Sequence, residues 1–223
     1  MAQGHRPQHP TAARAGPAER NESFGLTTML REHVTIGKHE LLFDFPAKSG
    51  QRRIQEIADE DALAVVATLK RRRDGSQLLA CRTANRWTEV HADEVNAYLK
   101  QHTGGAFTAK DFRTWNATVL AAVALAGADD GQKSRASRER EVSKAIKTVA
   151  TYLGNTPAVC RASYVDPRVI DRYHAGVTIA QALKASKGPD LADARVRKRV
   201  EVAVLDLLSD AGRTDRRNSK KGS

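Results

Sequence analysis

The stretch TAKDFRTWNATVLAAVALAG, Thr108 to Gly127, decides how the chain is read. Thr108 followed three residues later by Asp111 has the pattern of a capping box. In that arrangement two side chains satisfy N–H groups that the first turn of a helix leaves unpaired. Ala, Val and Leu dominate from Ala117 onward, and Gly127 is a fitting stop. The spacing predicts a helix from Thr108 to Gly127 that carries Lys110 and Arg113 in its first turns.

On the C-terminal side, ADDGQKSRAS is a polar linker, and EREVSKAIKTVATYLG reads as a helix stopped at Gly154. Thr156–Pro157 is an N-cap and first-turn pair, so a short helix starts there. Asp166–Pro167 restarts helix through RVIDRYHAG, and a last helix runs from about Pro189 to Asp210. On the N-terminal side, HADEVNAYLKQHTG has an acidic first turn and ends at a glycine, as helices do. QLLAC and RWTEV read as short extended pieces. DEDALAVVATLKRR places apolar residues at 63, 66 and 69, a helical stripe. FGLTTML and HVTIGKHELLFDF are rich in β-branched and aromatic residues, with GKHE as a turn, and read as two or three antiparallel strands. PAKSGQRRIQEI puts Lys48, Ser49 and Gly50 at the next turn, and the β meander ends near Ile57. The fold class is therefore α+β and mainly α, with a small antiparallel β unit at the N-terminal end.

The 223 residues carry 37 Lys and Arg against 26 Asp and Glu, a formal net charge of +11. Such an excess favours polyanions, nucleic acid first and an acidic membrane surface second. No run approaches the roughly 18 apolar residues of a membrane span, and the N-terminus has no apolar signal region. Residues 1–20 read as a disordered leader, 21–210 as one folded domain and 211–223 as a basic disordered tail. Cys81 and Cys160 lack metal-type spacing and read as free thiols of a reducing cytosol.

Four polar residues stand where local structure would present them: Lys48 at a turn tip, Arg113 in a capped helix, Asn155 after a helix-stopping glycine, and Tyr164 in GNTPAVCRASYVDP. Attack on a phosphodiester needs a nucleophile, cations for the phosphoryl oxygens and a proton donor for the leaving oxygen. These residue types suit those tasks, and none of them requires a metal. Each also has an ordinary reading: a packed tyrosine, a solvated arginine, an exposed lysine, an asparagine in a cap. Residue type and spacing leave both readings open. KRRR at 70–73 reads equally as a DNA-contacting cluster or a solvated helix end, and Trp87 and Trp115 read as core.

TAKDFRTWNAT resembles the Lys-Asp-Phe/Leu-Arg-Thr motif of type IB DNA topoisomerases of the poxvirus and bacterial kind. NTPAVCRASYVDP is similar to that family's nucleophile segment, and FGLTTMLREHV and LFDFPAKSG to its first catalytic strands. The resemblance runs in order over roughly Glu22 to Tyr173. It implies the catalytic-domain fold shared with tyrosine recombinases, and relaxation of supercoiled DNA without ATP, metal or other cofactor. Tyr164 would form a 3′-phosphotyrosyl bond, Arg113 bind the scissile phosphate, Lys48 protonate the leaving 5′ oxygen and Asn155 hold a nonbridging oxygen. Lys110 would be an additional phosphate contact, and Arg52 and Arg53, just after the Lys48 turn, would bind DNA. The implied partner is double-stranded DNA bound by a monomer, and the implied location the cytoplasm, at the nucleoid.

Recombinases usually carry His-x-x-Arg where this chain has Lys110-Asp111-Phe112-Arg113, which favours the topoisomerase over an integrase. One departure bears on activity. The family has a further arginine upstream of ESFGLTT, in an Arg-x-Gly run, and an N-terminal clamp domain. That run is missing, and by count the arginine falls near Thr11. The rival expectation from this departure is a truncated, noncatalytic DNA-binding remnant.

Overall fold

The computed structural model describes residues 24–47, 52–128, 134–186 and 190–209. The expected leader, the Lys48 turn, most of the linker after Ala128, the Pro189 helix start and the basic tail lie outside the described residues.

A three-stranded antiparallel sheet opens the fold, with β1 at Val34–Ile36, β2 at Leu41–Pro46 and β3 at Arg52–Ile57, in the order β1-β2-β3. Phe45 pairs with Arg53, Phe43 with Gln55 and Leu41 with Ile57. Directly opposed residues share a face and neighbours along a strand alternate. One face therefore carries Leu41, Phe43, Phe45, Arg53, Gln55 and Ile57. The other carries Leu42, Asp44, Arg52, Ile54 and Glu56. The expected strand in FGLTTML does not form. Phe24–Leu30 is irregular chain around a turn at 26–28, with a single bridge from Leu30 to Gln77, and buried Met29 and half-buried Phe24 anchor it to the sheet's core.

Helix α1, Glu60–Arg71, is N-capped by Asp59, whose carboxylate accepts from the Ala62 N–H at 2.8 Å. Its stripe closes the small core of Met29, Val34, Leu41, Phe45, Val66 and Leu78. The KRRR run at its end fits neither reading as a unit. Lys70 donates to the carbonyls of Arg31 and Val34, and Arg72, only 7% exposed, donates to Leu78 and Asp74 carbonyls. Arg71 and Arg73 face solvent. Half of the cluster thus holds neighbouring backbone in place, because buried carbonyls need donors. The hairpin of β4, Ala80–Thr83, and β5, Arg86–Glu89, follows. Its Trp87 is half-buried beside the Arg72 guanidinium, outside the core.

The larger layer is helical: α2 at Ala92–Thr103, α3 at Ala109–Gly127, α4 at Arg135–Leu153, α5 at Pro157–Ser163, α6 at Pro167–His174, α7 at Ala180–Ala185 and α8 at Ala194–Ser209. Buried positions 142, 145, 146, 149, 150 and 153 of α4 follow the i, i+3, i+4 rhythm of one helix face. The facing stripe of α3 is built on fully buried Ala117, Ala121 and Ala122, side chains short enough for close helix approach. Val142, Val149, Val169, Val200 and Val204 are each almost wholly buried, a contribution of about 1.5–3 kcal/mol apiece. Trp115 packs on this core as expected. Helix α7 was not legible in the sequence, and α8 starts later than expected. Among the described residues no helix is long and apolar enough to cross a membrane.

Candidate active site

The first turn of α3 is set by the predicted box. The Asp111 carboxylate accepts from the Thr108 N–H at 2.8 Å and its hydroxyl at 2.6 Å. The hydroxyl bond, and then the backbone bond, hold the Asp111 carboxyl below the usual range. That start directs Arg113 toward the end of α4, where its Nη2 donates to the Leu153 carbonyl at 2.5 Å. Helix α4 stops because Gly154 turns left-handed, at φ 66°, a conformation that costs glycine nothing. Asn155 follows directly. Thr156 then caps α5 by accepting from the Val159 N–H at 3.3 Å. Tyr164 is the C-cap of that helix, and its N–H bonds back to the Cys160 carbonyl at 3.0 Å.

These turns bring three predicted residues together. Arg113, Asn155 and Tyr164 line one open cleft of about 450 Å³ between the helical layer and the Phe43–Phe45 face of the sheet. The Arg113 guanidinium carbon lies 5.0 Å from the centre of the Tyr164 ring, within cation–π range. The Asn155 Nδ2 is buried with no hydrogen-bond partner, a costly state for a donor unless a ligand supplies an acceptor. Among the described residues no Asp or Glu lines the cleft. Cys160, on the same short helix as Tyr164, is fully buried, and burial pushes its thiol up against the opposing pull of Arg113.

The two β3 arginines part company. Arg53, on the face toward the cleft, lines it and donates to the Tyr152 carbonyl at 2.5 Å. Burial, and then the neighbouring Arg113 charge, draw its guanidinium below the usual arginine value. Arg52, on the opposite face, is exposed and forms a two-point pair with Asp44, Nε to Oδ1 at 2.6 Å. Lys110 is exposed one turn before Arg113 and does not line the cleft. Lys48 lies outside the described residues, while its neighbour Ala47 lines the cleft.

Two contributors were not singled out from sequence. Gln55 shares the cleft wall with Arg53, as strand alternation would have indicated. Thr118, one full turn beyond Thr114, is 2% exposed; its Oγ1 accepts the Asp166 N–H at 3.1 Å and lies 3.4 Å from the Tyr164 carbonyl. It ties the backbone on both sides of Val165 to α3. Among the described residues no group of His, Cys, Asp and Glu could hold a metal ion.

A family model, the catalytic core of eukaryotic DNA topoisomerase I, matches residues 10–197. The chain belongs to the DNA topoisomerase I family. A DNA topoisomerase 1B of Acanthamoeba polyphaga mimivirus is similar to it, with 28% identity over 162 residues, 70% of this chain and 48% of the relative. The chain thus spans about half the length of that relative. The family agrees with the type IB resemblance of TAKDFRTWNAT and GNTPAVCRASYVDP, and with a mainly helical catalytic core bearing small antiparallel sheets. Within this topoisomerase I core, the acid-free cleft is where the two motifs meet.

Proposed function

We propose that this chain relaxes supercoiled double-stranded DNA by transient cleavage of one strand and religation, without ATP. The observation that carries the proposal is the convergence of Arg113, Asn155 and Tyr164 in one cleft that, among the described residues, no carboxylate lines. A phosphodiester is an anion in every protonation state it adopts near neutral pH, so an acid-free wall with a guanidinium and an unpaired buried amide suits it.

In this reading the Tyr164 hydroxyl attacks the scissile phosphorus, forming a 3′-phosphotyrosyl bond as the bond to the 5′ oxygen breaks. The phenol gives its proton to solvent water, and Lys48 gives one to the departing oxygen. Arg113 keeps one N–H on the Leu153 carbonyl and presents others to the phosphoryl oxygens; a guanidinium has five. Asn155 Nδ2 donates to a nonbridging oxygen, which satisfies an otherwise orphaned donor. The aryl phosphodiester preserves the energy of the broken bond, so the reverse attack reseals the strand. Lys110 and Arg52 serve as flanking phosphate contacts, with Arg52 exchanging Asp44 for DNA. The catalytic domain spans 21–210, acts as a monomer and works in the cytoplasm at the nucleoid.

The test is a nicked or short-flap duplex from which the cleaved end diffuses away. Incubated with the protein and then denatured, it should yield a covalent protein–DNA adduct. The adduct should be absent with Tyr164→Phe, which should still bind DNA. DNA binding without any adduct from the unaltered chain would refute the proposal and leave a DNA-binding protein only.

A further inference from the structure

We infer that Arg53 is a second phosphate-neutralising residue, acting beside Arg113 on the nonbridging oxygens of the scissile phosphodiester; this rests on the function proposed above. The first support is position. Arg53 reaches the cleft from β3 and Arg113 from α3, and they bond to consecutive carbonyls, those of Tyr152 and Leu153, at the end of α4. Two cations are thereby held side by side in a cleft shared with Tyr164.

The second support is the absence of a counter-ion. Elsewhere in the described residues Arg52 has Asp44 and Arg168 has Asp166, whereas Arg31, Arg72 and Arg138 are held by backbone carbonyls. Neither Arg53 nor Arg113 has a carboxylate partner among the described residues, and each faces the other's charge. Like charges brought together in a partly buried cleft are mutually unfavourable. A phosphodiester between them removes that conflict, and the two guanidiniums retain enough free N–H groups to grip two oxygens.

The third support separates this from plain helix capping. At the end of α6 a single guanidinium, that of Arg138, takes both the Tyr173 and His174 carbonyls, at 3.0 and 2.7 Å. One arginine suffices for two carbonyls there. At α4 two are used with one carbonyl each, and the local backbone makes room for the second. A Cβ on Gly154 would fall 2.7 Å from the Arg53 Nη1.

The chemistry supplies the test. A methylphosphonate replaces one nonbridging oxygen by an uncharged methyl group, so a residue that acts by neutralising charge loses most of its effect on that linkage. Single-turnover cleavage would be measured for the unaltered protein, Arg53→Ala and Arg53→Lys, on duplexes carrying a phosphodiester or a methylphosphonate at the cleaved linkage. Arg53→Ala should slow phosphodiester cleavage by about 10²-fold, the scale for losing one preorganised donor at a developing anion. Arg53→Lys should restore part of that loss, because it keeps the charge but not the fork. On the methylphosphonate both variants should fall within about threefold of the unaltered protein, as the argument from charge requires. Equal losses on the two linkages would make Arg53 a structural cap and overturn the inference; so would an unimpaired Arg53→Ala. If Arg53→Ala does not fold, Arg53→Lys alone carries the same comparison. Failure of the unaltered protein to cleave the phosphodiester would overturn the proposed function, and this inference with it.

Discussion

Gly154 offers a perturbation whose size can be worked out from the backbone. It sits at φ 66° and would place a Cβ 2.7 Å from Arg53 Nη1. Gly104, the C-cap of α2, is a matched control, at φ 67° with nothing within 4 Å of its would-be Cβ. Gly104→Ala should therefore cost only the left-handed backbone, about 1 kcal/mol. Gly154→Ala should cost that and one more effect. The Arg53 guanidinium is the far end of a flexible side chain, so it will swing aside and give up its bond to the Tyr152 carbonyl. That adds about 1 kcal/mol, for a total near 2. At about 2–4 °C per kcal/mol for a domain of this size, Gly104→Ala should lower Tm by about 2–4 °C and Gly154→Ala by about 4–8 °C. Thermal melts by circular dichroism read both. Cleavage separates them further. Only Gly154→Ala should slow adduct formation, approaching the loss seen with Arg53→Ala. Equal Tm shifts would refute the contact between residue 154 and Arg53. A normal cleavage rate in a Gly154→Ala protein with lowered Tm would refute the claim that Arg53 must stand where it does.

Thr118→Val should lower stability by about 1–2 kcal/mol by leaving the Asp166 N–H without its acceptor. It should also slow adduct formation by loosening the Tyr164 backbone, and Thr118→Ser should restore both, measured by melts and single-turnover cleavage. Arg72→Ala should destabilise by about 2–4 kcal/mol, since two loop carbonyls lose a buried donor, whereas Arg71→Ala should leave Tm essentially unchanged, as solvent faces it. The Arg168 guanidinium, hydrogen-bonded to Asp166, holds that carboxyl below the usual range despite partial burial. A depressed folded value means the stabilisation is present above the unfolded value of about 3.9 and is lost as pH falls through the folded one. Asp166→Asn should therefore lower Tm at pH 7 and flatten the decline below pH 4, checked by melts across that range; an unchanged acid limb would refute the pair's contribution.

Much of the site was legible because its residues sit beside strong local signals. Thr108 and Asp111 announce the helix that carries Arg113. Thr156 and Pro157 start the short helix that ends at Tyr164. Gly154 stops α4 just before Asn155. Each is a matter of a few neighbouring residues and of backbone groups that need partners, so the pattern can be read without knowing what packs where. The segment Phe24–Leu30 misled for a related reason. Its β-branched and aromatic residues suit a strand, but they serve here as anchors for a turn.

What the sequence by itself determined, then, is the order of helices and strands, their caps, and the two motifs of the family. The tertiary structure alone decided which charges face the cleft. Strand alternation requires Arg52 and Arg53 to point opposite ways, yet only the approach of β3 to the end of α4 gives Arg53 the Tyr152 carbonyl and leaves Arg52 with Asp44. Likewise, nothing local in KRRR says that Lys70 and Arg72 turn inward to backbone carbonyls. Side-chain direction is local, but the surface it meets is assembled from residues distant in the chain, ninety-nine positions apart for Arg53 and Tyr152. Long-range packing creates both the acid-free cleft and the meeting of two guanidiniums within it.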